Sequence, residues 1–300
     1  MTRKLTALNS KGGVGKTCTM ANLGGVLADM GARVLLFDAD PQASLSKYYE
    51  LEYEAPKGLV EVITEGFIGE DCISRTVRPR LHLIKCNDGD AELQHWLHTK
   101  ADRRTRLQVA LQAPIIEDNY DFVLIDTQGA IGNLQTAAAF AADRLLSPLP
   151  PDTLSIREFT TGTLKVLRKL GESESEPTAF LAPIQVVICK ADVSKDGREL
   201  LQALHEEYSQ SDELTFLDVQ IPQAKAYKEA ATRRLPVHEY NTVGGIRMPS
   251  GFEVMHRLAW TLYPELYGYF AGGKRADPDL VFGTATQASG DSEEFGGAAA

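Results

Sequence analysis

Short runs rich in Val, Leu and Ile alternate along this chain with segments whose apolar residues recur at helical spacing, the pattern of an α/β protein with a largely parallel sheet. The runs predict strands at Leu5 to Leu8, Val34 to Phe37, Leu81 to Ile84, Phe122 to Ile125, Leu145 to Leu149, Val186 to Cys189 and Leu217 to Ile221. Their Val, Leu and Ile content suits strands covered by helices on both faces. Between the first two runs, Leu23, Val26, Leu27 and Met30 fall at i, i+3, i+4 and i+7, giving one apolar helical stripe that Gly31 ends as a C-terminal cap. Leu5 to Phe37 therefore read as a βαβ unit, and the whole pattern predicts a doubly wound α/β domain. Met255, Leu258, Ala259 and Leu262 mark a last packed helix that Pro264 stops. From Gly272 the composition turns to Gly, Ala, Ser, Thr and acid without periodicity. The expected organisation is one domain over 1–271 and a largely unstructured tail over 272–300, with Leu280-Val281-Phe282 able to dock.

The chemistry concentrates where that first strand meets its helix. Lys11-Gly12-Gly13-Val14-Gly15-Lys16-Thr17 follows a strand and opens a helix, as a phosphate-binding loop requires. Glycines let backbone N–H groups curl around phosphate oxygens without Cβ clashes, and the helix start adds its positive dipole end. In such a loop Lys16 neutralises the β and γ phosphates and the Thr17 hydroxyl ligates Mg²⁺. The predicted nucleotide contacts are Gly12, Gly13, Val14, Gly15, Lys16, Thr17 and Cys18. Two further strands end in acid: Asp38-Ala39-Asp40-Pro41-Gln42 after the second, and Asp126-Thr127-Gln128-Gly129 after Tyr120 to Ile125. Carboxylates at the carboxyl ends of strands beside the loop strand sit where an open α/β sheet binds its ligand. Asp126 reads as the Walker B acid that holds Mg²⁺ through water.

The additional lysine at the head of the loop, Lys11 in KGGVGKT, resembles the signature lysine of the deviant Walker A superfamily, which includes the ParA, MinD and nitrogenase iron protein families. The DxDPQ string at Asp38 to Gln42 is similar to that of ParA/Soj-like partition ATPases. So are Ser147-Pro148-Leu149-Pro150-Pro151-Asp152 and Ile221-Pro222 followed by Glu229-Ala230. The resemblance runs from Lys4 to about Tyr269, with its most specific motifs in the first half, and no helix-turn-helix region precedes the loop, as in the short ParA form. It implies ATP and Mg²⁺ as cofactors and a nucleotide-sandwich homodimer in which Lys11 reaches the partner's phosphates. It further implies that Asp40 positions the attacking water, Asp38 helps hold the magnesium shell, and a ParB-like centromere-binding protein stimulates hydrolysis. Two departures stand out. Gln128-Gly129 replaces the usual Pro-Pro, and Cys18 stands where a hydroxyl usually helps bind the α phosphate.

Charge then limits how DNA enters the picture. The net charge of -10 disfavours general attraction to a polyanion, so DNA binding requires a local basic patch. By the resemblance, Arg198, Lys225, Lys228, Arg233 and Arg234 are the candidates for sequence-independent DNA contact, although each taken singly also fits a solvated helix face. Arg103, Arg104 and Arg106 read as a helix surface. Cys189-Lys190-Ala191-Asp192 partly matches the N-K-x-D string that reads guanine, but lacks its asparagine. The four cysteines show no C-x-x-C spacing, which argues against an iron–sulfur or zinc site and for reduced thiols. No run is long and apolar enough to span a bilayer, and no basic amphipathic terminal helix suggests MinD-like membrane binding. The expected location is the cytoplasm, on the nucleoid when ATP is bound. An ATP-dependent metabolic ligase on the same fold stays open as another class.

Overall fold

The computed structural model describes all residues except 130–131, 172–180, 192–194, 210–213, 246–247 and 283–300. Its strands are β1 (Arg3–Ala7), β2 (Val34–Ala39), β3 (Leu51–Tyr53), β4 (Ser74–Thr76), β5 (Leu81–Ile84), β6 (Phe122–Thr127), β7 (Arg144–Leu149), β8 (Ile184–Ala191) and β9 (Leu214–Pro222). They form one nine-stranded sheet in the order β3-β4-β5-β2-β6-β1-β7-β8-β9. From β5 to β9 every pairing is parallel, and β3 and β4 extend the edge antiparallel. Every strand expected from the apolar runs is present, and β8 and β9 extend beyond their apolar centres. The two antiparallel strands were not anticipated: with three residues each, among them Glu52 and Arg75, they carry no apolar run to read.

Alternation along the strands divides the core into two layers. On one face Leu5, Leu36, Leu124, Leu146, Val187 and Val219 pack with the helices Lys16–Asp29 (α1), Lys225–Thr232 and Gly251–Leu262. On the other, Leu35, Phe37, Val123 and Ile125 pack with the helices Leu59–Glu65 and Asn133–Phe140, while Leu145, Val186 and Ile188 pack with Phe159, Leu164 and Leu204. In α1 the predicted stripe is buried, with Leu23, Val26 and Leu27 at 0% exposure. Burying each such side chain stabilises the fold by about 1.5–3 kcal/mol. The helix ends at Met30, and Gly31 follows at φ 104, a left-handed conformation that favours glycine.

The helix Gly251–Leu262 begins at a capping box: the Ser250 hydroxyl accepts from Glu253 N and the Glu253 carboxylate accepts from Ser250 N. Pro264 follows it and opens a short turn, Pro264–Leu266. The packed chain continues past Gly272, whose N–H donates to Asp29 O, into a final short helix, Pro278–Phe282. There Phe282 meets Phe252, Trp260 and Phe270. Residues 283–300 of the expected tail lie outside the described residues.

Candidate nucleotide site

The carboxyl ends of β1, β2 and β6 converge on the loop between β1 and α1. Gly13 (φ 72) and Gly15 (φ 109) adopt left-handed conformations that only glycine takes readily, and at Gly12 and Gly13 an added Cβ would meet nothing within 4 Å. That open concavity before a helix start has the geometry an anion-binding loop needs. It forms one end of a cleft of about 960 Å³ that also takes in Asp40, Gln42, Tyr48, Thr127, Gly129, Lys190, Gln223, Tyr227 and Lys228.

Lys16 is 6% exposed, and its ammonium donates to Asn9 O (3.2 Å) and Lys11 O (3.3 Å), folded back on the loop's own carbonyls. Burial lowers its pKa, and the charges of Asp126 and Asp40 offset only part of that. Asp126 is 0% exposed, and neither of its carboxylate oxygens has a hydrogen-bond partner in bonding geometry among the described residues, although the Thr17 hydroxyl is near. Burial pushes its pKa up to about 8; Thr17 and Lys16 oppose the shift, while the charges of Asp38 and Asp40 add to it. Burial with both oxygens free of hydrogen bonds suits a carboxylate that ligates a cation. Asp38 is better supplied. Ser46 donates both its N–H and its hydroxyl to Oδ2 at 2.7 Å, and Asp40 N donates to Oδ1 at 3.1 Å. Burial still raises its pKa to about 6. Asp40 stands at the cleft, its carboxylate accepting from Gln42 N at 3.0 Å in a local turn.

This donor set fits Mg²⁺ beside a phosphate. The described residues hold no cage of three or more His, Cys, Asp or Glu, and Mg²⁺ is ordinarily bound by one or two carboxylates, a hydroxyl, water and phosphate oxygens.

Lys11 turns the other way: its ammonium donates to Ser155 Oγ (2.8 Å) and lies 3.5 Å from Asp152 Oδ1. Asp152 is the N-cap of the helix Thr153–Glu158 and accepts from Ser155 N. That helix runs into a π-helical turn, Phe159–Leu164, where the Thr163 hydroxyl accepts from Ser10 N at 2.9 Å. The head of the loop is thus gripped by the segment after β7.

Gly129 explains one departure from the expected motif. A Cβ there would lie 2.6 Å from Gly12 Cα, so proline has no room, and the loop after β6 rests directly on the phosphate loop. Cys18 and Cys189 are free thiols whose pKa values burial pushes up to about 11 and about 12, so both stay protonated at neutral pH.

The candidate DNA residues divide by layer. Lys225 and Lys228 are exposed on the helix Lys225–Thr232, and Arg233 and Arg234 are exposed at its end, Arg233 lying over the Tyr240 ring. Lys228 also borders the nucleotide cleft. Arg198 is exposed on the helix Lys195–Tyr208, whose Leu204 packs in the opposite layer of the sheet. Sequence reasoning did not find Tyr48 or Tyr227 at the cleft, since no nucleotide motif contains them, and it read Lys190 only as part of an incomplete guanine string. Asp192 lies outside the described residues.

A parallel sheet with a glycine phosphate loop, a lysine at each end of that loop and an orphaned acid at the end of β6 defines a P-loop nucleotide-binding protein of the deviant Walker A type. A family model described as an AAA domain matches residues 2–175, and the chain belongs to that family, among its ParA/Soj-like partition ATPases. The chromosome partitioning protein ParA of Caulobacter vibrioides is 35% identical over 159 residues, 53% of this chain and 60% of that protein. The chain spans 45 to 60% of the length of the first curated relatives it matches. Among solved structures, an ATP complex of a Cyanothece McdA variant aligns with a TM-score of 0.70 at 27% identity, covering 86% of this chain and 96% of that one. Cobyrinic acid a,c-diamide synthase from Mycobacterium smegmatis, with ADP and magnesium, aligns at 0.64 and 28% identity over 83% and 99%.

Proposed function

We propose that this protein is a Mg-ATP-dependent partition ATPase whose nucleotide state gates DNA binding. The observation that carries the reading is Asp126, buried with both oxygens unsatisfied beside Thr17 and Lys16, at the foot of an open glycine cradle. Mg²⁺ held there would supply counter-charge to the carboxylate and to the phosphoryl oxygens. Thr17 and Asp126 would hold the cation with Asp38 in support, and Lys16, now on the loop carbonyls, would neutralise the β and γ phosphates. Gly12 to Gly15 cradle the phosphates through backbone N–H groups, with Cys18 beside the α phosphate. Asp40 orients the attacking water. Lys11 leaves Asp152 and completes the phosphate site of a second copy, which makes the ATP state a homodimer.

The same dimer brings two exposed basic helix ends, Lys225, Lys228, Arg233 and Arg234, to a common DNA surface, with Arg198 as a contributor from the other layer. The net charge of -10 opposes DNA binding by the monomer, so two modest patches must act together. Hydrolysis, stimulated by a ParB-like partner, resets the cycle, and slow basal turnover suits a switch. Placement on the nucleoid follows from such a cycle. None of the described helices is long and apolar enough to cross a membrane.

The likeness to the diamide synthase favours a second reading, an ATP-dependent ligase. ATP turnover measured alone, with DNA, and with DNA plus the product of the neighbouring gene separates the two. The partition reading expects stimulation only with both additions. Turnover that ignores them and responds to a small-molecule substrate supports the ligase.

A further inference from the structure

Two consecutive residues at the end of β8 grip two consecutive carbonyls of the phosphate loop, and the roles assigned above use neither. Cys189 Sγ donates to Val14 O at 2.7 Å, and the Lys190 ammonium donates to Gly13 O. Lys190 holds a backbone φ of 52, a left-handed conformation rare for a residue with a side chain. It is exposed and lines the same cleft as Lys16 and Thr17.

A phosphate nest works when its carbonyls point outward and its N–H groups point inward together. Gly13 and Gly15 take left-handed conformations that present this arrangement, but glycine is also the residue with the most freedom to leave it. A charged donor fixed on the Gly13 carbonyl holds the outward orientation more strongly than a neutral one. Ordering the loop before the ligand arrives lowers the cost of binding.

We infer that Lys190 is a positioning residue for nucleotide binding: by holding the Gly13 carbonyl outward it preorganises the phosphate loop for the polyphosphate of a nucleoside di- or triphosphate. The inference rests on the ATP reading above and adds a determinant from outside the phosphate-loop motif. Because the brace acts on the loop and not on the γ phosphate, it serves ADP and ATP alike.

The test measures Kd for Mg-ATP and Mg-ADP by calorimetry, steady-state ATPase kinetics, and melting temperature on the full chain. Lys190→Met should raise Kd for both nucleotides about tenfold and KM in step, with kcat at saturating ATP changing less than about threefold. Lys190→Arg should restore affinity to within about threefold of wild type. Lys190→Gly relieves the backbone while removing the ammonium, so it should melt at or above the wild-type temperature and still bind about tenfold more weakly. Unchanged Kd in Lys190→Met, wild-type affinity in Lys190→Gly, or affinity that tracks melting temperature across the three variants would overturn the assignment. A wild-type chain that binds neither nucleotide would overturn the ATP reading itself.

Discussion

The two walls of the nucleotide cleft are built on different principles. The phosphate wall, from Lys11 to Thr17 with Asp38 and Asp126, is backbone and buried charge: left-handed glycines shape the loop, Ser46 holds Asp38, and Asp126 is buried beside Thr17 and Lys16. The opposite wall, the helix Lys225–Thr232, has Tyr227 and Ala230 buried in the core and Lys225 and Lys228 exposed to solvent. The first wall is sensitive to any change of charge, because Lys16, Asp38 and Asp126 are buried together, and to a side chain at Gly13 or Gly15, which hold left-handed conformations. The second offers charges that act additively, weakened by salt and replaceable by neighbours. The difference teaches where chemistry ends and attachment begins, and substitutions on each wall should differ in kind.

The largest effect belongs to the phosphate wall. Lys16→Ala should reduce ATP affinity by at least about 100-fold and abolish turnover, since Lys16 is the lysine buried within the loop beside Asp126. Equilibrium binding of a fluorescent ATP analogue to the folded variant checks this, and wild-type affinity would remove the phosphate-loop assignment. Asp40→Ala should come next, with kcat about 100-fold lower while ATP still binds. Light scattering with Mg-ATP should then show an accumulated dimer; a variant that cannot bind ATP would assign Asp40 to the binding wall instead. Lys11→Ala should have a smaller effect, lowering the dimer fraction and turnover about tenfold while sparing nucleotide affinity in the monomer. An unchanged dimer fraction in sedimentation with ATP would confine Lys11 to its contact with Asp152.

The same contrast explains what could be read from the sequence. Strands β1, β2, β5 to β9 and the phosphate loop were legible because parallel strands buried on both faces need apolar runs and the cradle needs glycine at fixed spacing. The edge strands β3 and β4 were not, since antiparallel pairs of three residues at a sheet edge carry no comparable pattern. Gly129 looked like a defect in a familiar motif until its close approach to Gly12 gave it a steric cause. Cys189 and Lys190 read as a fragment of a guanine signature, whereas the structure sets them on Val14 and Gly13, a long-range contact that no local spacing announces. Arg198 and Lys225 looked equivalent along the chain, yet they belong to helices in opposite layers, which only the alternation of β9 side chains between cores reveals.

The central claim, that nucleotide on the rigid wall controls attachment through the exposed one, is tested most directly by equilibrium binding to duplex DNA of random sequence in Mg-ATP, in Mg-ADP and without nucleotide, across a salt series. The account predicts binding in Mg-ATP alone, alike for all sequences. If the dimer neutralises roughly four to six phosphates, the slope of log K against log salt should be about -4 to -5. Substituting both Lys225 and Lys228 by Glu should weaken that binding and make the slope shallower, with ATP-dependent dimerisation intact. Equally tight binding in Mg-ADP, or a double variant that binds DNA as the wild type does, would contradict it.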